Sequence, residues 1–161
     1  MKLLNLMVDS GTKLVMGISA IAVLVVTFAQ VLFRYVLKSP LPWSQDVLRL
    51  AFTYLVFWGA AWCVREKGHL NVDVVLTAIP VRLRAAVELV INLVLCAFFL
   101  FLVVYGVSFA KNGLTQTAPY LPIPMTVYYA SIPSAALLML FYMVQIVAEQ
   151  VLSLFHKEDR A

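Results

Sequence analysis

Residues 34–73 read RYVLKSPLPWSQDVLRLAFTYLVFWGAAWCVREKGHLNVD. Polar groups stand at both ends of one apolar run, and its middle holds almost none. A hydrophobic span accepts charge only where water, headgroups or a partner can receive it. The stretch therefore predicts a transmembrane helix over 43–65 with its chemistry at the two membrane faces. An inert middle points to a protein that docks and scaffolds, not one that carries a substrate alone.

The rest of the chain extends that reading. It has 161 residues, of which 63% are hydrophobic and only 12% charged. Soluble domains carry about 25% charged residues. With a mean hydropathy of +0.95, this is an integral membrane protein by composition. Three further apolar runs are long enough to cross the hydrocarbon layer, which takes about 20 residues. The spans expected are 13–34, 43–65, 82–110 and 125–150, an all-α fold of four transmembrane helices in a single domain over 1–161. The first run is longer than a signal-peptide core of roughly 7–15 residues and is not followed by a small-residue cleavage site. It reads as a retained helix.

Lysine and arginine placement sets the expected orientation. Lys2, Lys13, Arg65, Lys67, Arg82, Arg84, Lys157 and Arg160 belong to the two ends and the second connection. Arg34, Lys38, Arg49 and Lys111 belong to the first and third connections. The excess puts both termini in the cytoplasm and leaves the loops SPLPW and TAPYLPIP on the opposite side.

Between the second and third spans, HLNVDVVLTAI alternates polar and apolar residues. It reads either as a plain loop or as a short amphipathic helix over 70–79 lying in the headgroup plane. Pro133 falls inside the fourth run, where the missing amide predicts a kink with Ser131 or Ser134 helping to satisfy the freed carbonyl.

Candidate functional residues gather at the faces. Asp46 and Arg49 are three apart and share a helix face beside Trp43, an expected headgroup-level anchor. They are read either as an interfacial belt with a local ion pair or as a polar patch facing another membrane protein. Arg65 and His69 flank the inner end of the same helix, either as topology signals or as partner contacts. Asp73 would cap or pair, since anionic lipid repels an acid in that position. Arg84 and Glu88 form an i,i+4 pair and are read as structural. Cys63 and Cys96 read as small buried hydrophobes. His69 and His156 lie outside the spans, so no pair of axial haem ligands is available within the bundle. No paired deep carboxylates, metal-ligand spacing or nucleophile–histidine arrangement is present. Neither an enzyme nor a bound cofactor is expected.

The ordered set Arg34-Tyr35, Pro40, Trp43-Ser44, Asp46, Arg49, Phe57, Gly59-Ala60-Ala61, Arg65, His69 and Val72-Asp73 resembles the small membrane subunit of tripartite ATP-independent periplasmic (TRAP) transporters, the DctQ type. The later PYLPIP, Tyr128-Tyr129 and Ile132-Pro133 also fit. Gln45 departs from the pattern, since the family often carries a second acid there. The resemblance implies a scaffold subunit in the bacterial inner membrane, paired with a large sodium-coupled carrier subunit. A periplasmic binding protein would deliver an organic acid to the carrier. The partners implied are those two proteins and membrane lipids, with no nucleic acid. The rival readings are a self-sufficient four-helix carrier, which would need a titratable carboxylate within the bundle, and the membrane anchor of another complex.

Overall fold

The computed structural model describes the backbone of residues 2–66 and 81–158 and the side chains of 5–66 and 86–152. Among the described residues the fold is helical. Helix α1 runs Lys2–Tyr35, α2 Ser44–Arg65 and α3 Val81–Asn112. A 3-10 turn at Gly113–Thr115 leads to a short α4, Thr126–Tyr129, and then to α5, Ser131–Glu158. Four of these segments are long and apolar enough to cross a membrane: Asn5–Tyr35, Ser44–Arg65, Ala86–Thr115 and Thr126–Leu152. The proposed interfacial helix over 70–79, with His69 and Asp73 beside it, lies outside the described residues, as does the side chain of Arg84.

Local chemistry explains where the helices stop. α1 contains no proline and ends before Pro40 and Pro42, which cannot donate within a helix. Its exit passes through Lys38, the one described non-glycine residue with positive φ, at 50°. α2 restarts at Ser44, whose Oγ donates to the Leu41 carbonyl at 2.6 Å. Asp46 falls in its first turn and Arg65 in its last, each favourable for the helix dipole.

The first helix begins well before the expected residue 13. The segment ahead of Leu14 is helical from Lys2, and Asp9 and Thr12 within it are buried. A carboxylate can sit there because Arg65 meets it, as described below. At about 1.5 Å per residue, α1 and α3 approach 50 Å, well beyond a hydrocarbon layer of about 30 Å.

The fourth span is interrupted close to Pro133. The helix breaks at Ala130, three residues before Pro133, and Pro133 falls in the first turn of α5. A missing amide costs little there, because the first amides of a helix have no intrahelical acceptor. Ser131 Oγ donates to the Tyr128 carbonyl at 2.7 Å and Ser134 Oγ to the Ser131 carbonyl at 3.0 Å.

Packing joins α1 to α2, α2 to α5, and α5 to α3. The helices thus form a row in the order α1, α2, α5, α3. The core sits at the middle of that row, on Ala61, Val64, Phe99, Ala135, Met139, Tyr142 and Met143. Ala61 and Ala135 are fully buried, and such small residues let helix backbones approach closely. Gly106 extends the contact: a Cβ there would come within 3.3 Å of the Pro133 ring. The outer members of the row are bare by contrast. In the apolar stretches of α1 and α3 only 6% and 11% of residues are buried, against 33% in that of the fourth span.

Candidate functional site

The polar side chains are concentrated at the two ends of the row. At the end holding both chain termini, α1 presents Asn5, Asp9 and Thr12 on one face, spaced four and three apart. Asp9 is 8% exposed. Arg65 Nε donates to Asp9 Oδ1 at 2.7 Å, and its NH2 nitrogen bonds the other carboxylate oxygen. Tyr142 of α5 donates its hydroxyl to Asp9 Oδ1 at 3.0 Å. One carboxylate therefore ties three helices together. Nearby, Asn5 and Gln145 exchange two amide hydrogen bonds, at 3.0 and 2.9 Å. Trp62 carries the Lys13 ammonium at 4.7 Å and the Arg65 guanidinium at 4.8 Å from its ring centroid.

At the opposite end, Asp46 is 1% exposed. Its Oδ2 accepts from the backbone amides of Tyr120 and Leu121, at 2.8 and 3.1 Å. Those amides belong to a hairpin closed by Ala118 N to Ile123 O at 2.9 Å and Met125 N to Gln116 O at 2.8 Å. The hairpin packs tightly on its own base: a Cβ at Gly113 would lie 2.6 Å from the Thr126 nitrogen. The expected ion pair between Asp46 and Arg49 is not formed. Asp46 turns inward to the hairpin, while Arg49 is exposed. The inward carboxylate finds two amides already fixed by the hairpin, and Arg49 stays solvated. Both ion pairs among the described residues lie at the terminal end, Arg65 with Asp9 and with Glu66. Arg34, Lys38, Arg49 and Lys111 are all exposed at the hairpin end, as is Trp43 at 42%.

A third polar set joins α3 to α5. Asn92 Nδ2 donates to Gln150 Oε1 at 2.7 Å, and Gln150 Nε2 donates to Glu88 Oε2 at 3.1 Å. Between the two ends, Trp58 Nε1 donates to Ser134 Oγ at 3.3 Å.

Sequence reasoning picked out Asp46, Arg49, Arg65 and Glu88 but missed Asp9 and Gln145. The signal was present. Asn5, Asp9 and Thr12 mark one helical face, and Tyr142, Gln145 and Glu149 mark another at the same end. Cys63, read as buried, is exposed, and Cys96 is half-buried. Cys63 lies on α2 beside Trp62, outside the core. Among the described residues, no group of three or more His, Cys, Asp or Glu is placed to hold a metal ion. The arrangement joins helices and shapes a loop, and no free acid–base pair stands in the middle of the spans.

Known proteins agree with this picture. A 128-residue stretch is 23% identical to a putative TRAP transporter small permease protein of Haemophilus influenzae, covering 79% of this chain and 78% of that one. A C4-dicarboxylate TRAP transporter small permease protein of Vibrio cholerae is 29% identical over 99 residues, 62% of this chain and 43% of the relative. The sialic acid TRAP transporter permease protein of Haemophilus influenzae is 26% identical over 129 residues. That match takes in 80% of this chain but only 21% of the relative, so this chain spans about a fifth of that permease's length. Residues 23–153 match the family described as tripartite ATP-independent periplasmic transporters, DctQ component. That family is one of transport proteins, not enzymes, and its match covers most of the four long helices. The chain is a multi-pass membrane protein and belongs to the DctQ component family of TRAP transporters.

Proposed function

We propose that this chain is the stationary scaffold subunit of a TRAP transporter, paired with a large sodium-coupled carrier subunit that holds the substrate. A periplasmic binding protein would deliver the substrate, an organic acid of the kind named for the sialic acid and C4-dicarboxylate relatives. The bacterial inner membrane holds it with both termini cytoplasmic and the Asp46 hairpin periplasmic.

The observation that carries this reading is the distribution of polar groups. Asp9, Asp46 and Arg65 are all engaged within the chain itself, at the ends of the spans. A carrier acting alone needs a titratable group free to exchange its partner within the bundle. Instead, α1 and α3 offer broad apolar faces, suited to lipid and to a second membrane protein. The sialic acid permease supports the same reading, because its similar segment is only about a fifth of a much longer polypeptide.

Trp43 and Arg49 are the residues we assign to contact with the large subunit, with His69, Asp73 and the outward part of Arg65 at the cytoplasmic end. Asp46 serves by positioning the hairpin. Because Arg49 is exposed and in neither ion pair among the described residues, replacing it leaves no buried charge behind. Any loss of assembly in Arg49→Ala then belongs to the interface. Copurification of the large subunit with wild-type and Arg49→Ala chains should show weaker recovery from the variant and an unchanged substrate preference in what assembles. The chain reconstituted alone should move no organic acid. Sodium-driven uptake by the isolated chain, or normal assembly with an altered substrate profile, would overturn the scaffold assignment.

A further inference from the structure

A cavity of about 210 Å³ opens at the terminal end, lined by Asn5, Arg65, Tyr142, Gln145, Ile146 and Glu149. That volume is many times what one ordered water needs. Its position is informative. Arg65 is the last residue of α2, whose 22 residues are close to the roughly 20 that cross the hydrocarbon layer. The cavity therefore sits at headgroup level, where α2 leaves the hydrocarbon.

Its walls are unlike in charge. A guanidinium has five N–H donors, and Arg65 spends three on Asp9 and Glu66. Two remain. Asn5 and Gln145 each spend one amide hydrogen on the other, and each amide carries a second. These donors suit a phosphate. Glu149 is exposed and takes part in no hydrogen bond or ion pair among the described residues. A carboxylate placed so is an acceptor for an ammonium group. Ile146 supplies the apolar lining that an acyl chain would pass.

We propose that this cavity binds the phosphoethanolamine headgroup of an aminophospholipid, its phosphate toward Arg65 and the two amides and its ammonium toward Glu149. Phosphatidylglycerol offers no cation to Glu149. Phosphatidylcholine has a cation but no N–H to donate. The inference rests on insertion of the chain in a membrane and not on its role in transport.

The test uses the full chain, purified in detergent and delipidated. It is offered an equimolar mixture of phosphatidylethanolamine, phosphatidylglycerol and phosphatidylcholine with matched acyl chains, and retained lipid is read by native mass spectrometry. Loss of one charged hydrogen bond corresponds to about a tenfold change in retention. Wild-type chain should hold phosphatidylethanolamine over the other two by about that factor. Glu149→Ala, which removes the acceptor altogether, should bring the ratio near unity at an unchanged melting temperature, with Glu149→Leu read in the same way if the first variant does not purify. Equal retention of the three lipids by wild type would overturn the proposal. So would a preference that survives removal of the carboxylate. Displacement of the lipid by soluble O-phosphoethanolamine at equal concentration would show that the ligand is the free headgroup and not the lipid.

Discussion

Asp9 and Asp46 are both buried carboxylates at the ends of membrane-length helices, and the chain stabilises them in different ways. Asp9 is met by side chains from two other helices, Arg65 and Tyr142. Asp46 is met by backbone amides of a hairpin. The first arrangement sets where helices stand relative to one another, and it depends on the identity of every partner. The second sets the shape of a loop. It depends on the one carboxylate and on amides that almost any residue supplies, so loop side chains can vary without loss of the anchor. The terminal end is therefore a joint between helices, and the hairpin end is a mount for a surface.

The sharpest way to break that comparison is to remove the cation. Arg65→Met leaves Asp9 buried without its counter-charge. Removing one partner of a buried pair costs about 3–5 kcal/mol. The Arg65 side chain is 36% exposed, so about 3 kcal/mol, at the low end, is expected. Denaturation of the purified chain in detergent should show this loss. Asp9→Leu combined with Arg65→Met should recover most of it, because an apolar pair needs no charge partner. A double variant no more stable than Arg65→Met alone would mean that the carboxylate carries no penalty, and the joint would be mere packing.

The second effect should be local. Asp46→Ala removes two charge-assisted hydrogen bonds and frees the hairpin tip. A cost of about 2 kcal/mol is expected, with faster hydrogen exchange at the Tyr120 and Leu121 amides. Asp46→Asn keeps an acceptor oxygen and should cost about half as much. Exchange at the same amides should not change in the Arg65 variant. If both variants loosen the hairpin equally, the two ends are coupled and the distinction between joint and mount fails.

Gly113 sharpens the mount further. A methyl group at this position would meet the Thr126 nitrogen at 2.6 Å and the Tyr129 ring at 2.8 Å. Gly113→Ala should cost about 1–3 kcal/mol through overpacking. Its effect should appear in hairpin exchange as well as in overall stability.

Much of this was legible in the sequence. The stretch over 43–65 gave its helix from its polar ends and apolar middle, and α2 occupies Ser44–Arg65. The partners of the buried acids were harder to read. Asp46 and Arg49 share a face by spacing alone, but spacing says nothing about a loop returning 74 residues later to present its amides. Asp9 lies ahead of the uncharged run that marks the first span, where a lone acid carries no sign of burial. Its burial depends on Arg65, 56 residues away, and only the four-and-three spacing of Asn5, Asp9 and Thr12 hinted at a packed face. The kink was expected at Pro133, and the interruption lies at Ala130, beside the Tyr129 carbonyl that the proline frees. The two serines expected to help bond other carbonyls instead, Ser131 that of Tyr128 and Ser134 that of Ser131.

Glu88 should show the smallest effect, and it separates a structural acid from a coupling one. Gln150 donates to Glu88 Oε2 at 3.1 Å, and Asn92 donates to Gln150 in turn. What this chain of amides asks of residue 88 is an acceptor oxygen. Glutamine supplies one at the same reach, so the bond from Gln150 survives in Glu88→Gln. Glu88 is half-buried near the start of the third span, where water or headgroups can solvate either form. The change in stability should stay within about 1 kcal/mol. Uptake by the assembled transporter should be nearly that of wild type. Asp9→Asn provides the contrast, because there the lost charge faces Arg65 directly and the cost should be several-fold larger. Normal assembly with lost transport in Glu88→Gln would mean that this carboxylate moves a proton or an ion, and the scaffold would then take part in coupling.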